Sequence, residues 1–309
     1  MKAVQINQYG DNSVLELNEI PEPAPEAHQL AIDVRAAALN PLDTVLRAGY
    51  LSTMMPLIFP ATLGGDVAGI VTAVGRDVTT ASIGDHVYGQ AYGLMGNSGA
   101  FAEHAVVDAT HVHRMPACLS FTEAASMGVA GTTAVDALTK ALDVQAGQKV
   151  LITGGSGAVG SIAVQIAKHL GAYVAATASG DGVALAKGLG ADEVFDYRAE
   201  DIASRLTDYD AVLDTVGSDA LASSYDVLRR GGRLVTIAGR LDEDRAAAAG
   251  ITTTRQAHQS ETALSELTVL IEDGVVTPRV GDTFRLEAAA AAFKAMESRV
   301  TRGKVVILP

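Results

Sequence analysis

The sequence predicts an α/β chain with two structural parts, an irregular β-rich part and a doubly wound parallel sheet. In the first third, short apolar runs alternate with Gly, Pro, Asn and Asp, and six of the nine prolines precede residue 61. From about residue 120, strand and helix patterns alternate, which is typical of βαβ units. With 309 residues, of which 48% are hydrophobic, the chain is long enough to form two cores.

The composition argues against several classes of protein. Lys and Arg total 23 against 36 Asp and Glu, which gives a net charge of −13. The chain therefore lacks the excess positive charge with which proteins bind nucleic acid or anionic lipid. Cys118 is the single cysteine, which excludes an internal disulfide and a multi-cysteine zinc site, and we interpret it as a free thiol. The start lacks the apolar segment of a signal peptide, and no run approaches about 18 apolar residues. We therefore expect a soluble cytoplasmic protein.

The elements follow from apolar periodicity and turn residues. In the β-rich part, the pattern predicts strands at 2–6, 29–36, 69–73, 86–88 and 101–107. In the second part, it predicts strands at 150–153, 173–177, 193–196, 211–214 and 233–238. Helices are expected at 159–170, 183–189, 199–206, 219–229 and 262–273. The chain then closes with a strand at 279–285, a helix at 287–298 and a strand at 304–308.

One glycine-rich segment carries chemistry. It directly follows the strand at 150–153, opens an amphipathic helix, and consists of Gly154, Gly155, Ser156, Gly157, Ala158, Val159 and Gly160. The spacing Gly-x-Gly-x-x-Gly provides a tight turn, close backbone approach to a pyrophosphate, and close contact between helix and strand. The free N–H groups of the helix then face the bound phosphates. This context predicts a dinucleotide-binding site.

The end of the next strand distinguishes between cofactors. NAD sites usually place Asp or Glu there to bind the ribose 2′-hydroxyl, but this chain has Ala178 followed by Ser179. A 2′-phosphate would not be repelled, so the sequence favours NADP(H). Positive charge for that phosphate would have to come from near Tyr197, from Arg198 or from Arg240, since no Lys or Arg occurs between 179 and 186.

Ordered landmarks along nearly the whole chain carry a family resemblance. They include Asn40-Pro41-Leu42-Asp43, GGDVAGIVTAVG at 64–75, GAFAEH at 99–104, the glycine segment, LDTVG at 213–217 and RGKVVILP at 302–309. In these motifs the chain resembles the medium-chain dehydrogenase/reductase superfamily, specifically its zinc-free quinone oxidoreductase branch, which includes zeta-crystallin. The resemblance implies a GroES-like β-rich catalytic domain, residues 1–120 plus 270–309, and a Rossmann doubly wound parallel-sheet domain, residues 121–269.

The resemblance also implies that no metal is bound. Zinc alcohol dehydrogenases of this superfamily have a cysteine near Asn40, a Gly-His-Glu motif near Gly65-Asp66 and a four-cysteine lobe after Tyr92. In this chain Asn40 stands at or near the first position, the second reads Gly65-Asp66, and no cysteine lobe follows Tyr92. We therefore expect neither catalytic nor structural zinc.

The implied activity is hydride transfer from NADPH to quinones or other α,β-unsaturated carbonyl compounds. Tyr50 is the expected hydrogen-bond donor to the developing oxyanion, and Asn40 is expected to orient substrate or nicotinamide. For both residues a purely structural role remains an equal alternative. The resemblance places the cofactor contacts at Thr133, the glycine segment, Ser179, Tyr197, Val216, Gly217, Ala238 and Gly239. Two alternatives remain open: an enoyl-thioester reductase, and a low-turnover NADPH-binding protein with a structural or redox-sensing role. The expected partners are a small-molecule substrate and a second copy of the chain joined through the strand at 233–238, with neither nucleic acid nor membrane.

Overall fold

A computed structural model of the chain describes residues 1–199, 205–256, 259–298, 301 and 303–309. It divides into two compact units, the first formed by residues 1–129 and 278–309 and the second by residues 130–277. Both boundaries lie somewhat later in the chain than the predicted ones. Within the described residues, no helix has the length and apolar character needed to cross a membrane.

The strands are, in chain order, β1 Lys2–Ile6, β2 Glu16–Glu19, β3 Gln29–Ala38, β4 Ala61–Thr62, β5 Asp66–Val74, β6 His86–Gln90, β7 His104–Asp108, β8 Val112–Arg114, β9 Lys149–Thr153, β10 Tyr173–Ala178, β11 Glu193–Asp196, β12 Tyr209–Asp214, β13 Leu228–Thr236, β14 Thr252–Arg255, β15 Val280–Arg285 and β16 Lys304–Leu308. The α-helices are α1 Pro41–Arg47, α2 Phe121–Ala125, α3 Gly128–Asp136, α4 Ala158–His169, α5 Asp181–Gly188, α6 Ser218–Val227, α7 Glu243–Ala249, α8 Ala263–Glu272 and α9 Ala289–Ser298.

The first unit contains a large sheet in the order β15-β16-β3-β5-β6-β8, with β7 also paired to β3, and a small sheet in the order β2-β1-β4. The long strand β3 is its centre, because β5, β7 and β16 all pair with it in antiparallel register. Apolar side chains from these strands and from α9 form one core, in which the Phe101 and Phe293 rings meet edge to face at 5.9 Å. The closing strand β16 thereby joins the N-terminal part of the chain in one sheet.

The second unit contains a six-stranded sheet in the order β11-β10-β9-β12-β13-β14, and every pairing in it is parallel. The chain runs from β9 outward to β10 and β11, then returns to place β12, β13 and β14 on the other side of β9. The strand order therefore reverses between β9 and β12. In sheets of this kind, ligands bind outside the carboxyl ends of the strands at such a reversal point.

Most predicted elements are confirmed, and their ends differ by a few residues. The predicted helix at 199–206 falls largely on residues 200–204, which lie outside the described residues. The expectation that the strand at 233–238 forms the sheet edge is wrong, because β14 pairs with β13 through Thr252–Arg255 and covers it. That strand also ends at Thr236, so Ala238 and Gly239 follow it as a turn.

Candidate functional site

The glycine segment connects the central strand β9 to α4 at the carboxyl edge of the sheet. Its backbone is hydrogen-bonded to β10, since Gly155 N donates to Thr177 O at 2.8 Å and Gly154 N donates to Thr177 Oγ1 at 3.0 Å. Gly157 is the residue that caps α4, and no side chain accepts from the first turn of this helix. The free N–H groups at the start of α4 are thus available to a ligand, and the positive end of the helix dipole favours an anion there.

The structure of this segment requires glycine at three of its positions. Gly154 has a φ of +69°, and a Cβ there would lie 2.7 Å from Thr215 Oγ1. A Cβ atom on Gly160 would lie 2.1 Å from Gly154 O, and one on Gly155 would lie 2.7 Å from the Ala176 Cβ atom. A Cβ on Gly157 would meet only Gly154 O, at 3.2 Å. The close approach of α4 to the turn before it leaves the backbone bare, which fits a pyrophosphate bound directly by main-chain N–H groups.

Two hydroxyl groups lie together at the carboxyl ends of the neighbouring strands. Ser179 follows β10 and Tyr197 follows β11, and the Ser179 hydroxyl is 3.1 Å from the Tyr197 hydroxyl. The guanidinium of Arg198 lies over the Tyr197 ring at 5.8 Å from its centroid. β10 ends without a carboxylate, whereas β11 ends in Asp196, whose Oδ1 accepts from Arg198 N at 3.0 Å. The corner therefore holds two hydroxyl groups, the Arg198 guanidinium and the Asp196 carboxylate.

Arg240 does not join this corner. Arg240 follows β13, and three strand spacings separate β13 from β10 in the sheet. At the usual spacing between neighbouring strands, β13 and β10 are roughly 14 Å apart. The exposed Arg240 therefore lies on the other side of the reversal point from Ser179 and Tyr197. Its contact with the 2′-phosphate stays a prediction.

The remaining predicted cofactor residues lie on the side of β12 and β13. Val216 and Gly217 form the turn after β12, and Ala238 and Gly239 form the turn after β13. Gly217 has a φ of +79°, and a Cβ there would lie 2.7 Å from Ala238 O, so the two turns touch. Thr133 lies on α3, where its hydroxyl accepts from Gln259 Nε2 at 3.4 Å.

In the first unit, Asn40 belongs to a buried polar group that sequence reasoning did not identify. Its Nδ2 donates to Asp66 Oδ2 at 3.0 Å, and its Oδ1 accepts from the Lys304 ammonium. Lys304 also pairs with Asp66 at 2.8 Å, and Asp66 accepts from Val129 N at 2.6 Å. The three side chains come from the N-cap of α1, from β5 and from β16, so only the fold brings them together. We call Asn40, Asp66 and Lys304 the buried triad.

Asp43 and Tyr92 adjoin the buried triad. Burial raises the pKa of Asp43 to about 7, although the Asn40 N–H donates to its carboxylate at 2.7 Å and the Lys304 charge acts in the opposite direction. Burial also raises the pKa of Tyr92 well above its usual range, reinforced by the nearby Asp43 and Asp66 carboxyl groups. The buried Tyr92 hydroxyl has no hydrogen-bond partner among the described residues, and the neighbouring Asn40 side chain acts to lower its pKa.

Tyr50 lies apart from these buried groups. It follows α1 in a turn, and 80% of its surface is exposed. The same segment exposes Met54 and Ile58, so a polar hydroxyl stands among large apolar side chains on the surface of the first unit.

Zinc alcohol dehydrogenases have zinc ligands near the positions of Asn40 and Gly65-Asp66, and the residues of this chain at those positions do not fit a zinc ion. A Cβ on Gly65 would lie 1.9 Å from Tyr92 Cζ, so no histidine fits there without displacing that ring. The cation that meets Asp66 is the Lys304 ammonium, and Cys118 is exposed. Among the described residues, no three His, Cys, Asp or Glu side chains are grouped so that they could hold a metal. Zinc independence stays a prediction.

A recess of about 580 Å³ opens in the second unit near the last turn of α4, bordered by Lys168 and His169. It contains none of the predicted residues and lies at the opposite end of α4 from the glycine segment. We assign it no role.

Comparison with protein families matches three descriptions along the chain. Residues 26–117 match the alcohol dehydrogenase GroES-like domain, and residues 189–307 match the zinc-binding dehydrogenase family. Residues 119–236 match the glutamate/leucine/phenylalanine/valine dehydrogenase family.

Similar proteins span the entire chain. A 2-methylene-furan-3-one reductase of Solanum lycopersicum is 35% identical, covering 100% of this chain and 79% of that protein. The chloroplastic NADPH-dependent alkenal/one oxidoreductase of Arabidopsis thaliana is 34% identical over 100% of this chain and 80% of that protein. The quinone oxidoreductase of Homo sapiens is 30% identical over 100% of this chain and 98% of that protein.

Solved structures agree with these similarities. The quinone oxidoreductase of Coxiella burnetii superposes with a TM-score of 0.91 at 33% identity, covering 100% of this chain and 99% of that one. The quinone oxidoreductase of Escherichia coli in complex with NADPH gives a TM-score of 0.90 at 28% identity, with 100% of both chains covered.

Proposed function

The chain belongs to the quinone oxidoreductase branch of the medium-chain dehydrogenase/reductase superfamily, and from this premise we propose how its residues carry out the reaction. It is an NADPH-dependent oxidoreductase that acts on quinones and other α,β-unsaturated carbonyl compounds. The observation that carries the assignment to residues is the uncapped start of α4 behind a glycine segment that has no space for a side chain at Gly155 or Gly160.

The glycine segment and the first turn of α4 would bind the cofactor pyrophosphate with main-chain N–H groups. The Ser179 and Tyr197 hydroxyl groups, with the Arg198 charge beside them, would bind the adenosine 2′-phosphate. The turns at Val216-Gly217 and Ala238-Gly239 would then contact the nicotinamide half, with Thr133 near it. Bound NADPH supplies the hydride.

Hydride addition to a quinone or enone leaves negative charge on the substrate oxygen, which requires a hydrogen-bond donor and then a proton. We assign the donor role to the Tyr50 hydroxyl, because it is exposed among apolar side chains that suit such a substrate. Asn40 is a weaker candidate for direct contact, since its amide already donates to Asp66 and accepts from Lys304. Its remaining N–H is the group with which it would orient a ligand.

Two measurements test the cofactor and the substrate class. Dissociation constants for NADPH and NADH, from isothermal titration calorimetry, should differ in favour of NADPH, and a preference for NADH would contradict the 2′-phosphate assignment. NADPH oxidation should be followed with 9,10-phenanthrenequinone, 1,2-naphthoquinone, an alkenal and crotonyl-CoA. Turnover with crotonyl-CoA alone would indicate an enoyl-thioester reductase, and tight NADPH binding without turnover would indicate a non-enzymatic role.

A pair of substitutions tests Tyr50. Tyr50→Phe removes the hydroxyl and keeps the ring, whereas Tyr50→Leu removes both. If the hydroxyl stabilises the oxyanion, Tyr50→Phe lowers kcat about 10²-fold with little change in KM, and Tyr50→Leu also raises KM. An unchanged kcat in Tyr50→Phe would remove this residue from the mechanism.

We propose a homodimer joined through the edge of the parallel sheet. The edge strand is β14, a short polar segment whose outer N–H and C=O groups are unpaired within the described sheet. Light scattering after size-exclusion chromatography should give twice the chain mass, and a monomer would contradict the proposal. The cytoplasmic location stays a prediction, since one similar protein is chloroplastic.

A further inference from the structure

Three polar side chains stand next to one another at the carboxyl edge of the parallel sheet. Thr153, Asp214 and Thr236 are the last residues of β9, β12 and β13, and the strand register pairs Asp214 with both threonines. All three are buried, and Asp214 and Thr236 have no exposed surface. A buried carboxylate is unusual unless hydrogen bonds compensate its loss of water.

Every group that contacts the Asp214 carboxylate is a donor. Oδ1 accepts from Thr153 Oγ1 at 2.8 Å and from the N–H groups of Val216 and Gly217 at 3.3 and 3.2 Å. Oδ2 accepts from Gly217 N at 3.1 Å and from Thr236 Oγ1 at 2.7 Å. A carboxylate matches this environment because both of its oxygens accept. Asp214 thereby holds the turn that follows its own strand.

Thr236 transmits the same constraint to the neighbouring turn. Its Oγ1 donates to Asp214 and accepts from Ala238 N and Gly239 N, both at 3.2 Å. One carboxylate therefore orders the turn after β12 directly and the turn after β13 through a single hydroxyl. The two turns also touch where Gly217 meets Ala238.

The position of these turns relates them to one half of the cofactor. The dinucleotide crosses the sheet where the strand order reverses, with its pyrophosphate at the start of the helix after the first strand and its adenosine ribose at the end of the second strand. Those places are α4 and the end of β10 in this chain. The nicotinamide half must then lie over the ends of β12 and β13, where the Val216 side chain is 44% exposed.

We propose that Asp214 is a positioning residue for hydride transfer. With Thr236 as its relay, it holds the turns at 215–217 and 237–239 in the shape that binds the nicotinamide half of NADPH. The inference rests on the proposed function, because it assumes the cofactor. It adds a role for two buried side chains that do not touch the ligand and to which the sequence analysis assigned no role.

Two isosteric substitutions test the proposal. In Asp214→Asn the amide NH₂ replaces one acceptor with a donor. Whichever way the amide turns, Gly217 N loses one of its two acceptors, and either Thr153 or Thr236 loses the oxygen to which its hydroxyl donates. Thr236→Val removes only the hydroxyl and leaves Ala238 N and Gly239 N unpaired. The control is Ser224→Ala, which also removes a fully buried hydroxyl of this unit, but one that donates only to Ala220 O within α6.

The ligands are NADPH and 2′,5′-ADP, which contains the adenosine half without the nicotinamide. We expect each test variant to raise the Kd of NADPH about tenfold, as the loss of one or two hydrogen bonds implies, with less than a twofold change for 2′,5′-ADP. kcat with 9,10-phenanthrenequinone should fall, and the deuterium isotope effect from C4-deuterated NADPH should rise. Ser224→Ala should match the wild type in all of these.

Equal weakening of both ligands would show a general structural role and overturn the proposal, as would unchanged NADPH binding in both test variants. If Asp214→Asn does not fold, Thr236→Val decides alone. Failure of the wild type to bind NADPH would instead contradict the proposed function, so the two failures are distinguishable.

Discussion

Replacing Gly160 with alanine tests whether the tight packing of the glycine segment is what binds the cofactor. Gly160 is the third residue of α4, and its new Cβ would lie 2.1 Å from Gly154 O, 2.8 Å from Gly154 C and 3.0 Å from Gly155 Cα. All three atoms belong to the backbone, so no side chain can rotate away. The helix and the turn must therefore move apart, and the N–H groups that converge on the pyrophosphate move with them.

The expected magnitude combines two opposing effects. Overpacking of this kind costs about 1–3 kcal/mol, whereas alanine gains about 1 kcal/mol over glycine inside a helix. The net loss of folding stability is thus expected to be roughly 0–2 kcal/mol. The loss of NADPH affinity should be larger, about 10- to 100-fold in Kd, or roughly 1.4–2.7 kcal/mol, because several phosphate contacts depend on one geometry. Fluorescence titration with NADPH and urea unfolding measure the two quantities.

Two other glycines serve as graded controls. Gly157→Ala places a Cβ 3.2 Å from a single backbone oxygen, so its effect on NADPH affinity should be smaller than that of Gly160→Ala. Gly188→Ala, at the end of α5, meets nothing within 4 Å and should bind NADPH as the wild type does. The reasoning is refuted if Gly160→Ala binds NADPH within about twofold of the wild type, or if Gly157→Ala is the more damaging change.

Three further predictions concern the polar groups of both units. Because the pKa of Asp43 is raised to about 7 from 3.8, the folded chain keeps this proton after the unfolded chain has lost it; stability therefore falls as pH rises from about 4 to 7, by up to roughly 4 kcal/mol. The free energy of unfolding, measured with urea at pH 5 and pH 8, should differ less between the two pH values in Asp43→Asn than in the wild type. An equal difference in both proteins would contradict the assignment of the pH dependence to Asp43. Lys304→Met leaves the buried Asp66 carboxylate without its counter-charge and should lower the free energy of unfolding by about 3–5 kcal/mol. Adding Asp66→Asn should recover part of that loss, and additive losses would argue against the ion pair. Tyr197→Phe should raise the Kd of NADPH about three- to tenfold and leave that of NADH unchanged, and equal effects on both would argue against a 2′-phosphate contact.

The parts of the fold that were predicted well are those with a local signal. The unit from β9 through α4 to β10 combines an apolar strand, a glycine turn and a 3.6-residue periodicity, all within about 30 residues of one another. The absence of a carboxylate after Ala178 is likewise a local feature. By contrast, β14 was missed because its sequence, Thr-Thr-Thr-Arg, is short and polar, and its strand conformation depends on pairing with β13.

The buried triad and the Asp214 group carried no comparable signal. Asn40 and Lys304 are separated by 264 residues, and they meet only because β16 pairs with β3 in the sheet of the first unit. The Asp214 group likewise depends on strand register, which aligns the last residues of three strands. A polar residue at the end of each apolar run is visible in the sequence, but its alignment with the others is not.

The sequence by itself determined the fold class and the preference for NADP(H), and it located the glycine turn that we propose binds phosphate, because periodicity, glycine spacing and the residue after β10 act over short distances. Tertiary structure alone decided which strand forms the sheet edge, that Arg240 is separated from Ser179 and Tyr197, and that Lys304 meets Asp66. Those outcomes depend on strand order and register, which are set by the burial of whole faces and by pairing between distant segments.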